Sequence, residues 1–269
     1  MAAAYRAIDI PSASQMTDPL DRSAPSDDPA PTISPETSAS RWEDFVDIFY
    51  APASVFARRA HSGFGLPMLV VSVLIGLIFM ADMGVMQPIM DAEFTRGAAA
   101  AMKKSPQITA EQMSQFRGVG EKIGVIFAFI GAPIAIFFIG LMVWLVGKLF
   151  DAKATLGAAL MVASYAYIPK IVAGIAAGVM ALLSDPASLN GMYKVSLGVG
   201  RFLDPDTTSP VLLAIVGRLD FFTIWVTVLL AIGLSVTGRI PRSRAAVAGV
   251  LIWILGGLFP VLNALRAQA

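Results

Sequence analysis

Read from its amino terminus, the chain sets long apolar blocks between short polar ones, and the blocks have the length of membrane-crossing helices. Spanning about 30 Å of hydrocarbon takes roughly 20 mostly apolar residues, because every backbone N–H and C=O must be bonded within the segment. Five blocks qualify: residues 67–89, 123–147, 155–183, 219–237 and 245–265. Ahead of them, Trp42, Phe45, Val46 and Phe49 fall at i, i+3, i+4 and i+7, while Glu43, Asp44 and Asp47 take the other face. That spacing predicts a short amphipathic helix. Pro52 suits the first turn of a second helix, with Val55 and Phe56 as its apolar residues and Arg58 and Arg59 closing it before the first span. Such a segment either lies in the headgroup plane, anchored by Trp42, Phe45, Phe49 and Phe56, or packs on the rim of the bundle. The expected fold is an all-α membrane protein: five transmembrane helices preceded by a short amphipathic interfacial helix.

The polar blocks divide the chain further. Residues 1–40 scatter Pro11, Pro19, Pro25, Pro29, Pro31 and Pro35 among Ser, Thr, Ala and acids, a composition that predicts a disordered cytoplasmic tail ahead of a membrane domain over residues 41–266. The tail lacks the basic start and apolar run of a cleaved signal. Two connections are tight, residues 148–154 and 238–244, and hold Lys148, Lys153, Arg239, Arg242 and Arg244 against Asp151. Their basic density places them, with the N-terminus, on the cytoplasmic side and the C-terminus opposite. Two connections are long. In the first, Thr109 to Gln112 reads as a capping box and predicts a structured loop. In the second, Ser209 and Pro210 look like an N-cap and first-turn pair that opens a short helix before Arg218 and Asp220.

Composition narrows the chemistry. Only 14% of residues are charged and 56% are hydrophobic, with mean hydropathy +0.70; a soluble domain carries about 25% charged residues. With no cysteine and one histidine, His61, disulfides, thiolate nucleophiles, Cys/His zinc sites and nearly all histidine-based triads fall away. A formal charge of +1 gives no electrostatic case for a nucleic-acid partner. Gly118, Gly120 and Gly124 miss the dinucleotide spacing, and no Walker loop exists. The chain therefore reads as non-enzymatic, with no catalytic residue, cofactor or metal ligand to nominate.

Charges inside spans cost about 2.5–3.5 kcal/mol each on insertion scales, so each needs a partner or a wet cavity. Asp82 and Lys170 sit at similar counts into the first and third spans, and Arg218 and Asp220 enter the fourth from the same side. An intramembrane polar cluster of Asp82, Lys170, Arg218 and Asp220 is expected, with an Asp82–Lys170 pair at its centre. Its role is helix registry, an ion or proton relay, or simple snorkelling of the charges to the interface. Pro133 and Pro169 predict helix kinks. Gly174 and Gly178 form a G-x-x-x-G face for close helix packing, within the chain or with a second copy.

Several of these segments together resemble the Yip family of five-span proteins that interact with Ypt/Rab GTPases. The resemblance is carried by Tyr50 to Phe56 before the first span and by Asp151 to Leu156 with Tyr165 to Pro169 in the third. Phe221 to Trp225 with Ala231 to Leu234 in the fourth, and Ser243 to Ala245 in the last loop, complete it. It covers about residues 42–265 and is closest to the bacterial branch. It implies a membrane protein without catalytic residues, linked in eukaryotes to vesicle traffic and membrane shape. The D-L-Y-G-P element and the acidic-aromatic tail motif of eukaryotic members are absent, so the resemblance does not extend to Rab-type GTPase binding. The expectation is a non-enzymatic multipass protein of the bacterial inner membrane that organises or scaffolds membrane or trafficking partners, its partners being the lipid bilayer and other membrane proteins or itself. The alternative is a small transporter or channel using the Asp82/Lys170 level.

Overall fold

The computed structural model describes residue 40 and residues 42–268; apart from Ser40, the tail expected over residues 1–40 lies outside them. The described chain is helical: α1 (Glu43–Asp47), α2 (Pro52–Arg59), α3 (Gly65–Asp82), α4 (Gln87–Lys104), α5 (Ala110–Leu149), α6 (Leu156–Ala166), α7 (Ile168–Leu183), α8 (Pro210–Val216), α9 (Phe221–Gly238) and α10 (Arg242–Gln268). There is no strand among the described residues, only an isolated bridge between Gly198 and Asp220. Five stretches are long and apolar enough to cross a membrane: Gly65–Asp82, Ile123–Leu149, Leu156–Leu183, Phe221–Gly238 and Arg242–Arg266.

Local chemistry sets the ends of these helices. Thr109 and Gln112 form the reciprocal capping box that starts α5, and Thr155, Ser209 and Asp220 each accept a backbone N–H at the starts of α6, α8 and α9. The first span closes at Asp82, short of the Ile89 expected, and a turn leads into α4. Pro88 explains the break, because its ring would clash with the carbonyl of Gly84 and it has no N–H to donate there.

α6 occupies the centre. Every residue from Ala158 to Ala166 is buried, and α3, α5, α7 and α9 pack around it. Lipid tails are as apolar as these side chains, so helix association depends on close packing at small residues. A methyl group placed on Gly140 would come 2.7 Å from Leu160, and one on Gly233 would come 2.3 Å from Val162. Gly76 meets the ring of Phe129 in the same way. Outward, Leu69, Phe127, Phe138, Ile224 and Val250 are exposed, a surface that hydrocarbon tolerates and water does not.

The bundle has two distinct ends. At one, the tight connections meet, with the Lys153 N–H donating to the Gly238 carbonyl at 2.9 Å. At the other, the long connections interlock. Arg96 pairs with Asp206 at 2.8 Å and Glu93 at 3.0 Å, and the Met192 N–H donates to Glu93 Oε1 at 3.2 Å. Lys104 Nζ donates to the Arg266 carbonyl at 2.7 Å, tying the end of α10 to α4.

Gly233→Ala should therefore cost about 1–3 kcal/mol by overpacking, seen as a lower melting temperature in detergent. Adding Val162→Ala should restore part of the loss. Gly131→Ala, at a position with nothing within 4 Å, should change little.

Candidate functional site

Two polar nodes interrupt the apolar bundle, and the first was not legible in the sequence pattern. Asp44 is fully buried. Arg58 Nε donates to its Oδ1 at 2.7 Å, Arg59 Nε to its Oδ2 at 2.5 Å, and the Tyr165 hydroxyl of α6 to Oδ2 at 3.2 Å. Residues expected on the polar face of α1 and in the last turn of α2 thus close on a tyrosine of the central helix. Asp47 takes a second bond from Arg58 and one from the Tyr50 hydroxyl; that hydroxyl and then the guanidinium hold its carboxyl below the usual carboxylate range.

Neutralised in this way, the two short helices dock on the bundle. Ile48, Val55 and Phe56 are fully buried in the main core, and Phe45 and Phe49 are half-buried against it. Of the four residues expected to anchor an interfacial helix, only Trp42 projects outward, at 70% exposure, joined by Val46 and Tyr50. α1 has just five residues. A helix that short has no fixed solvent face, so where α2 folds back decides which side is buried. The available signal was an arginine pair following three nearby acids, with a tyrosine inside a span in need of a partner.

The second node departs from expectation in its pairing. Lys170 Nζ donates to Thr223 Oγ1 at 3.1 Å, and that hydroxyl donates to Asp220 Oδ1 at 3.3 Å. Asp220, 8% exposed, also caps α9 by accepting the Thr223 N–H at 3.0 Å. Lys170 and Asp220 are thus joined through a threonine that sequence reasoning passed over. Arg218 turns away to α10: it donates to the Trp253 carbonyl and lies 5.1 Å from the centroid of that indole. Gly257 makes the room, since a methyl group there would sit 2.8 Å from Arg218 Nε.

Asp82 does not pair with Lys170 among the described residues. The register of α3 on α7 gives the reason. Gly174 faces Ile78, and Gly178 faces the Asp82 carboxylate, so Lys170 is level with residue 74. Asp82 then lies eight residues further out, about 12 Å at about 1.5 Å per residue. Counting from the start of each apolar block had equated two depths that differ. Both side chains nevertheless line one cavity of about 230 Å³, walled otherwise by Ile78, Met86, Met192 and other apolar residues.

The G-x-x-x-G face of Gly174 and Gly178 is thus occupied by α3 of the same chain. Pro133 lies inside α5, which runs on without interruption from Ala110 to Leu149. Pro169 stands in the first turn of α7, and the third span breaks at Tyr167 between α6 and α7. Pro260, inside α10, is a third mid-span proline that the sequence reading did not single out. No group of three or more His, Cys, Asp or Glu residues placed to hold a metal occurs among the described residues.

Five apolar spans, with the first half of the third buried at their centre and polar contacts confined to two nodes and the loop ends, define a multipass membrane protein. The family model described as the Yip1 domain matches residues 46–263, and the chain belongs to that family. No curated protein and no solved structure matches the chain.

Asp44→Asn should destabilise the protein by about 2 kcal/mol, less than the about 3–5 kcal/mol of a fully buried pair because Arg58 keeps 29% exposure. The check is a lower melting temperature together with faster proteolysis at Arg58 and Arg59. In double-mutant cycles, Lys170→Met and Asp220→Asn should couple by about 0.5–3 kcal/mol, while Asp82→Asn and Lys170→Met should add independently.

Proposed function

We propose that the protein organises membrane partners and performs no catalysis of its own. The observation that carries this reading is the clamped N-terminal segment. Asp44 fixes α1 against the bundle and leaves Trp42, Val46 and Tyr50, at i, i+4 and i+8, as an exposed stripe. A short helix held this firmly loses little further conformational freedom on binding, which favours docking of another membrane protein at the bilayer surface. The density of basic residues in the tight connections supports a cytoplasmic position for this end, with the C-terminus opposite. Membership of the Yip1 domain family is in keeping with a non-catalytic role.

The cavity reaching Asp82 and Lys170 favours a second reading, a small transporter or channel. Against it, the path beyond Lys170 meets the core, where Met161, Val162, Ala163 and Ala166 have no exposure. Transport would require α6 to repack.

A photo-crosslinking residue at position 46, used in native membranes and followed by mass spectrometry, should capture a distinct membrane protein. Capture of lipid and self-contacts alone would remove the support for the organising role. Proteoliposome flux abolished by Asp82→Asn would replace it with the transport reading.

A further inference from the structure

A groove of about 800 Å³, in the range of about 300–1,000 Å³ typical of ligand sites, lies between α9 and α10 and is closed at one end by residues 50–54. Its lining includes the small residues Ala231, Ala245, Ala246 and Gly249, and α9 and α10 meet closely there: a methyl group on Gly249 would come 2.9 Å from the Ala231 Cβ. Ile224, Val228 and Val250 supply apolar walls. Tyr50, Pro52 and Arg242 stand at the short-connection end, with Leu219 and Trp253 at the other. From Arg242 to Trp253 the groove follows α10 for about 17 Å at about 1.5 Å per residue. One leaflet of hydrocarbon is about 15 Å deep, half of a core of about 30 Å.

Charge is concentrated at the mouth. Arg242 and Arg239 are exposed, and neither has a carboxylate within ion-pair distance among the described residues. Of the three carboxylates of the neighbouring α1, Asp44 and Asp47 are taken by Arg58 and Arg59 and Glu43 accepts the Ser40 N–H, while Asp151 of the tight connection lies 3.7 Å from Arg244. A leaflet-deep apolar slot under uncompensated positive charge matches a lipid with an anionic headgroup. A second copy docked symmetrically on this face would set the same arginines against each other at one depth, which is unfavourable.

We propose that the groove binds one anionic glycerophospholipid, its phosphate at Arg242 and an acyl chain lying between α9 and α10 as far as Trp253. The test is native mass spectrometry of the detergent-purified full chain, with phosphatidylglycerol or phosphatidylcholine added at equal concentration. The wild type should retain phosphatidylglycerol about five-fold better, the preference expected from one basic residue at a membrane surface. Arg242→Gln should retain both lipids equally. Ala246→Trp, which fills the groove, should lose both. Val247→Trp, exposed on α10 but outside the groove lining, should behave as wild type. Equal retention of the two lipids by the wild type overturns the proposal, as does undiminished retention by a folded Ala246→Trp protein. Loss of a dimer in that variant with lipid retention unchanged would assign the face to a second copy instead. If Ala246→Trp does not elute as a monodisperse species, the Arg242→Gln comparison decides alone.

Discussion

The arrangement of the N-terminal end depends on one buried carboxylate. Asp44 accepts from two guanidinium groups and a tyrosine hydroxyl, and those three donors come from two different helices. An unpaired carboxylate at that position would carry a heavy desolvation cost, so the node has to form completely or not at all. Once formed, it turns α1 and α2 from peripheral amphipathic segments into part of the core. Phe56 and Ile48 share a cluster with Ala163, Tyr165 and Leu234 from the middle of the bundle. It also leaves Trp42, Val46 and Tyr50 on the outside, which gives the rim an apolar stripe with a fixed position.

Within the bundle the organising constraint is size. α6 is buried from Ala158 to Ala166; α5 and α9 approach it through glycines that face Leu160 and Val162, and α3 approaches α5 through Gly76 facing Phe129. Glycine also makes room for the charged groups: Gly178 beside Asp82 and Gly257 beside Arg218. Polar groups are thereby tolerated at depth because the backbone yields space, and each node is kept apart from the other. The groove between α9 and α10 has the same origin, since small residues on both helices leave apolar volume facing the bilayer.

The five spans, the capping box at Thr109, the N-cap at Ser209 and the family were legible in the sequence because each depends on residues close along the chain, whereas Asp220 was read as part of a polar cluster and its capping of α9 shows only in the structure. The third span was recognisable from Tyr165 to Pro169, though its division at Tyr167 shows only in the structure. Pairing was less legible. Lys170 was assigned to Asp82 from counts along two apolar blocks, and the counts had no common origin. The contacts Ile78–Gly174 and Asp82–Gly178 supply that origin and send Lys170 to Thr223 instead.

The amino-acid sequence by itself determined that this chain is helical, that it crosses the membrane, and where most of its helices begin and end, because backbone hydrogen bonding in hydrocarbon permits little else. Tertiary structure alone decided which charges meet, at what depth they lie, and which face of the short rim helix is buried. Those outcomes depend on how one helix is rotated and shifted against another. The rotation and shift are set by steric fit at residues distant in sequence, such as Gly178 against Asp82 and Tyr165 against Asp44.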